Sequence, residues 1–186
     1  EGVSAYQAGN LQDADAAFRQ ILKLNENHAD ANHLLGLVAR QNGDNKVAAE
    51  LISRAIQINP DNAAYHNNLG NTMKDLDRMD EAVASYQNAI AILPDLAPAH
   101  SNLGSALRVL GKLQDGKASL QIAIRLEPDT ASAHVNLGNI MKDMGRHEDA
   151  QASYRNGLNL DPNNLDSLSN MGNLLEEQNQ TEEAVD

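Results

Sequence analysis

Apolar and small residues return along this chain every 34 residues, in the same order each time. Leu35-Gly36, Leu69-Gly70, Leu103-Gly104, Leu137-Gly138 and Met171-Gly172 carry the period, and Pro60, Pro94, Pro128 and Pro162 keep it independently. A fixed period of this length means that one supersecondary unit is stacked on itself, so function is to be sought on a surface. With the glycines set at position 8, units begin at Ala29, Ala63, Ala97, Ala131 and Leu165. The expected organisation is a single array over residues 1–186: a partial repeat at 1–28, full repeats at 29–62, 63–96, 97–130 and 131–164, and a partial repeat at 165–186.

Each unit reads as two helices. At about 100° per residue, positions 3, 4, 7, 8, 10, 11 and 14 share one face of a first helix, and Ala, Leu, Met, Ile and Gly fill most of them, so that face is expected to be buried. On a second helix, positions 20, 24 and 27 hold Ala48, Ile52, Ala55, then Ala82, Tyr86, Ala89, and onward in the same small, large, small sense. Glycine at position 8 predicts that a neighbouring helix approaches the backbone there. Gly43, Asp77, Gly111, Gly145 and Asn179 stand at position 15, where residues tolerant of the left-handed conformation predict the turn between the helices. Proline at position 32 ends the second helix. Gly116 and Gly157 replace alanines at positions 20 and 27, at about 1 kcal/mol each, which predicts softer second helices in those two units.

These residues resemble the tetratricopeptide repeat family, whose pattern has a large residue at 4, Leu at 7, Gly at 8, a large residue at 11, Ala at 20, an aromatic at 24, Ala at 27 and Pro at 32. The chain departs at position 4, with Asn32, His66, His100, His134 and Leu168 in place of an aromatic. The resemblance implies an all-α fold, a right-handed solenoid of stacked antiparallel helix pairs with first helices lining a concave side.

Aromatics are only 3% of the chain against 41% hydrophobic residues, so the expected packing is aliphatic. Absence of Cys excludes disulfides and thiolate metal sites and fits a cytoplasmic location. No apolar run approaches about 18 residues, so no membrane insertion is expected. The start at Glu1, inside a repeat, is the pattern expected of a segment of a longer chain. A net charge of −12 argues against nucleic acid, because phosphate binding needs clustered Lys and Arg. Position 12 nevertheless carries Arg40, Lys74, Arg108 and Lys142, beside Asp75 and Asp143 at position 13, which reads as pairing within the array.

The face of the first helix opposite the core holds positions 2, 5, 6, 9, 12 and 13. Position 6 is Asn68, Asn102, Asn136 and Asn170, and position 9 adds Asn71, Asn139 and Asn173, with Ser105 breaking the row. Asn is a mediocre helix former, so its recurrence needs a reason. It could bond the adjacent repeat and fix register. Alternatively, a ladder of amides, each both donor and acceptor, could clasp the N–H and C=O of an extended peptide in the concave groove.

The runs His66-Asn67-Asn68-Leu69-Gly70-Asn71, His100-Ser101-Asn102-Leu103-Gly104-Ser105 and His134-Val135-Asn136-Leu137-Gly138-Asn139 look like the superhelix of O-linked N-acetylglucosamine transferases. That resemblance implies that Asn68, Asn102, Asn136 and Asn170 hold a substrate peptide's backbone, and that the chain could be the substrate-recruiting part of a glycosyltransferase. The clamp of chaperone-binding repeat proteins is not expected, since its cations at positions 2 and 5 are absent. His66, His100 and His134 recur at position 4. Stacked helix pairs hold equivalent positions about 10 Å apart or more, too far to share an ion, so packing or an inter-repeat hydrogen bond is the expected role. No catalytic constellation, metal site or cofactor is expected. Three functions stand at this point: a protein-interaction scaffold, a glycosyltransferase's recruiting region, and a self-assembling structural protein whose uncapped ends associate end to end.

Overall fold

The computed structural model describes the backbone of residues 2–183 and the side chains of residues 2–177. Among the described residues there are eleven helices and no strand. Two compact units divide the chain after Pro94. The first contains α1 (Gly2–Gln7), α2 (Leu11–Leu24), α3 (Ala29–Gln41), α4 (Asn45–Ile58), α5 (Ala63–Asp75) and α6 (Met79–Ile92). The second contains α7 (Ala97–Val109), α8 (Leu113–Leu126), α9 (Ala131–Asp143), α10 (His147–Leu160) and α11 (Leu165–Glu183). In each unit the helices pack as antiparallel pairs, α3 on α4, α5 on α6, α7 on α8 and α9 on α10, and the next first helix leans on the pair before it.

The turns follow from the predicted residues. Gly43, Gly111 and Gly145 take positive φ, as does Asp77 at 59°. Asp77 N–H donates to Lys74 O and Arg78 N–H to Met73 O, closing the end of α5 as a Schellman motif. Asn179 departs from the expectation. The helix α11 runs through it to Glu183, so no turn forms there and no second helix faces α11 among the described residues. Ala184 to Asp186, at the end of the last expected repeat, lie outside them.

The position-8 glycines are placed as predicted. A Cβ on Gly36 would lie 2.7 Å from Ile52 Cγ1, on Gly104 2.6 Å from Leu120 Cγ, and on Gly138 2.6 Å from Tyr154 Cδ1. The position-24 side chain of the partner helix thus seats directly on the glycine. Gly172, without such a helix, has nothing within 4 Å. Gly116 also has a packing reason, since a Cβ there would come 2.9 Å from Gly104 O. The buried side chains are mostly aliphatic, as composition predicts, but the largest fully buried ones are Tyr86, Tyr154 and Phe18. Aromatics are few, but they stand at the centre of their pairs, where one large ring fills the space that the glycine opens.

Candidate functional site

Position 6 falls in the middle of α5, α7, α9 and α11, and Asn68, Asn102, Asn136 and Asn170 are all half-buried. Their surroundings differ. In the first unit Asn68 Nδ2 donates to His33 Nε2 at 2.9 Å, a bond from one first helix to the preceding one. His33 is buried and its ring lies 4.5 Å from that of Tyr65. Burial pushes the His33 pKa down to about 4, against a smaller opposing effect of Asp30, so the ring is neutral near pH 7 and Nε2 can accept. The Tyr65 hydroxyl donates in turn to Asp30, and its pKa is raised first by burial and then by that bond. Asn68 therefore serves register, one of the two roles its sequence left open.

Two of the asparagines of the second unit, Asn136 and Asn170, have no such partner at the equivalent places among the described residues. The residues 35 positions before Asn136 and Asn170 are Ser101 and Val135, and neither bonds them. The side-chain amides of Asn136 and Asn170 have no hydrogen-bond partner among the described residues. Asn102 lines a pocket of ≈ 250 Å³ on the same helix face, together with Pro98 and Ser101 from its own helix and Thr130 and Ser132 at the start of α9. Expected groove positions are not uniformly open, however: at position 5, His33 and Val135 are buried.

Position 9 acquires a use that the sequence did not show. The Tyr86 hydroxyl donates to Asn71 Oδ1 at 2.9 Å, and the Tyr154 hydroxyl donates to Asn139 Oδ1 at 2.8 Å. The buried ring needs its polar tip satisfied, and the asparagine supplies the acceptor from the edge of the core. Burial raises the pKa of both phenols, that of Tyr154 to about 12. Each amide keeps its Nδ2 for other partners. Asn173 is exposed, with no position-24 residue opposite it among the described residues.

A single offset organises these contacts. Residues 35 apart, one position further on in the next repeat, meet along the row of first helices. Arg40 pairs with Asp75 at 2.6 Å, Arg108 with Asp143 at 2.8 Å and Lys142 with Glu177 at 2.7 Å. Each partly exposed pair contributes at most about 1 kcal/mol. Their larger effect is to neutralise position-12 cations, leaving that face no surplus of positive charge from them. The pairing of position-12 cations with Asp75 and Asp143 is as the sequence predicts, and an offset of 35, instead of 34, would have found the His33–Asn68 contact as well. The position-4 ladder is likewise explained: His66 Nε2 lies 2.9 Å from Pro60 O, His134 Nε2 lies 2.9 Å from Pro128 O, and Asn32 Nδ2 donates to Glu26 O at 3.1 Å. These side chains tie down the loop between repeats, in the place where the family's pattern has an aromatic. No helix among the described residues is long and apolar enough to cross a membrane.

The fold and this face define a helix-pair repeat array with a polar strip along its first helices. The tetratricopeptide repeat pattern matches residues 1–63 and 101–141, and a second TPR repeat pattern matches 74–111 and 138–179. The chain belongs to the tetratricopeptide repeat family. No curated protein sequence matches it. Among solved structures, TTC0263, a thermophilic TPR protein in Thermus thermophilus, is similar at 25% identity and a TM-score of 0.77, covering 94% of this chain and 95% of that one. Pseudomonas aeruginosa pilF is similar at 22% identity with a TM-score of 0.84, covering 99% and 84%. YrrB, described as a TPR protein with an unusual peptide-binding site, is similar at 20% identity with a TM-score of 0.73, covering 90% and 87%. These family patterns and structures lend no support to the glycosyltransferase resemblance.

Proposed function

We propose that this chain is a protein-interaction scaffold that holds an extended segment of a partner protein through its position-6 asparagines. Asn136 and Asn170 form the working part, and Asn68 is a rung already tied to His33. The observation that carries the reading is the state of Asn136 and Asn170. Each is half-buried in mid-helix, with an amide that has no partner among the described residues. An amide left open in mid-helix is available to a ligand, and a peptide backbone presents alternating N–H and C=O groups that an amide can both accept from and donate to. The free Nδ2 groups of Asn71 and Asn139 stand one turn further along α5 and α9 and can add donors. Because such a grip reads backbone, it gives weak sequence selectivity and modest salt dependence. The scaffold reading agrees with the family and with a similar structure described as having a peptide-binding site.

The test is affinity capture from a source lysate with the wild-type chain and with the Asn68, Asn102, Asn136 and Asn170 quadruple alanine variant, after circular dichroism has shown equal helicity. Partners held by the wild type and lost by the folded variant support the groove. Identical partner sets would move binding to another surface, and an empty set with concentration-dependent oligomers would favour end-to-end self-association.

A further inference from the structure

The pocket beside Asn102 has a chemistry of its own. Its inner end is the C-terminus of α8, where Glu127 is the capping residue and also part of the lining. Unpaired carbonyls give a helix C-terminus about half a negative charge, so an acid is the wrong residue for stability there. The cation of that last turn, Arg125, does not answer it, for it lines a different pocket with Gln121, Ile122 and His134. Glu127 has no ion pair among the described residues, and its side chain accepts only a 3.4 Å bond from the Thr130 hydroxyl. Hydroxyls of Ser101, Thr130 and Ser132 and the apolar faces of Ala97 and Ala133 complete the walls. The pocket thus joins a carboxylate, a helix C-terminus and hydroxyl acceptors to short apolar sides, in a chain carrying 26 acidic against 14 basic residues.

We propose that this pocket is a cation subsite of the groove, which takes a lysine or arginine side chain of the bound segment with Glu127 as its counter-ion. This rests on the reading of the groove as a peptide site. The alanine walls pack the methylenes of the long side chain while the carboxylate and the hydroxyls receive its N–H groups. Asn136 grips the adjoining backbone. Charge complementarity then sets the register of a segment that the amides alone would let slide, and it selects basic partners over acidic ones.

The experiment is panning of a random displayed-peptide library on the wild-type chain, on Glu127→Gln, and on the Asn136→Ala, Asn170→Ala double variant, with fluorescence-polarisation affinities of the enriched peptides. The expected result is enrichment of Lys or Arg at one register on the wild type and its loss on Glu127→Gln. Replacing that lysine by norleucine in the peptide should weaken wild-type binding by about fivefold, the upper range for a partly exposed ion pair, and leave Glu127→Gln binding unchanged. Peptides that are lost on the asparagine variant yet show no basic register, or bind Glu127→Gln equally well, overturn the subsite and leave the groove standing. Peptides that bind the asparagine variant undiminished, or no enriched peptides at all, overturn both.

Discussion

Lowering the pH should unfasten the first unit through one histidine. His33 is buried with its ring against Tyr65, accepts from Asn68, and has its pKa pushed by burial from the ordinary 6.5 to about 4. The unfolded chain therefore binds a proton between those values that the folded chain refuses. Stability contributed by the neutral ring is complete above about pH 6.5 and is lost as pH falls toward 4. Integrated from about pH 7.5 down to about pH 5, the difference amounts to about 2 kcal/mol. Because a repeat array can open locally, the assay is amide hydrogen exchange in α3 and α5, compared at those two pH values after correction for intrinsic rates. His33→Gln retains an acceptor for Asn68 without the titration, and it should show little of the extra opening. The reasoning is refuted if the wild type and His33→Gln lose the same protection on acidification, since a shared loss would come from other groups.

Three further outcomes follow from the packing. Gly104→Ala and Gly138→Ala put a Cβ 2.6 Å from Leu120 Cγ and Tyr154 Cδ1, so each should lower stability by about 1–3 kcal/mol in thermal melts, whereas Gly172→Ala, with nothing within 4 Å, should raise it by up to about 1 kcal/mol. Gly116→Ala, which helix propensity alone would make stabilising, should instead destabilise because its Cβ meets Gly104 O at 2.9 Å; a higher melting temperature would show that the backbone gives way there. Tyr154→Phe removes the donor to Asn139 Oδ1 and should cost about 1 kcal/mol, with Asn139→Ala adding little on top of it in a double-mutant cycle read by urea unfolding.

Much of this molecule was legible from its period. The glycines at position 8, the small and large slots at 20 and 24, and the turn at 15 all express contacts within one helix pair, and those repeat as the sequence does. Contacts between one repeat and the next were legible where opposite charges recur, as in Arg108 with Asp143, and less so where unlike polar residues meet: His33 and Asn68 lie 35 apart and leave no mark on a 34-residue period. Composition left out the pair centres. A chain with 3% aromatics reads as aliphatic, yet Tyr86 and Tyr154 occupy pair centres, and their hydroxyls draw Asn71 and Asn139 into structural service. The same asparagine pattern thus hides several situations: an inter-repeat tie at Asn68, tyrosine acceptors at Asn71 and Asn139, and amides without a partner among the described residues at Asn136 and Asn170. Only neighbours in space tell them apart.

The central claim, that the position-6 amides hold a peptide backbone, is tested most directly by following the side-chain amide resonances of Asn136 and Asn170 in a nitrogen–proton correlation spectrum while a captured partner segment is titrated in. The account predicts that these two pairs of signals shift with the same saturation curve as the binding itself and become protected from solvent exchange. Signals that stay in place while backbone shifts gather instead on the second helices, around Ser53, Arg78 and Asn88, would contradict it and move the binding site to the groove between α4 and α6.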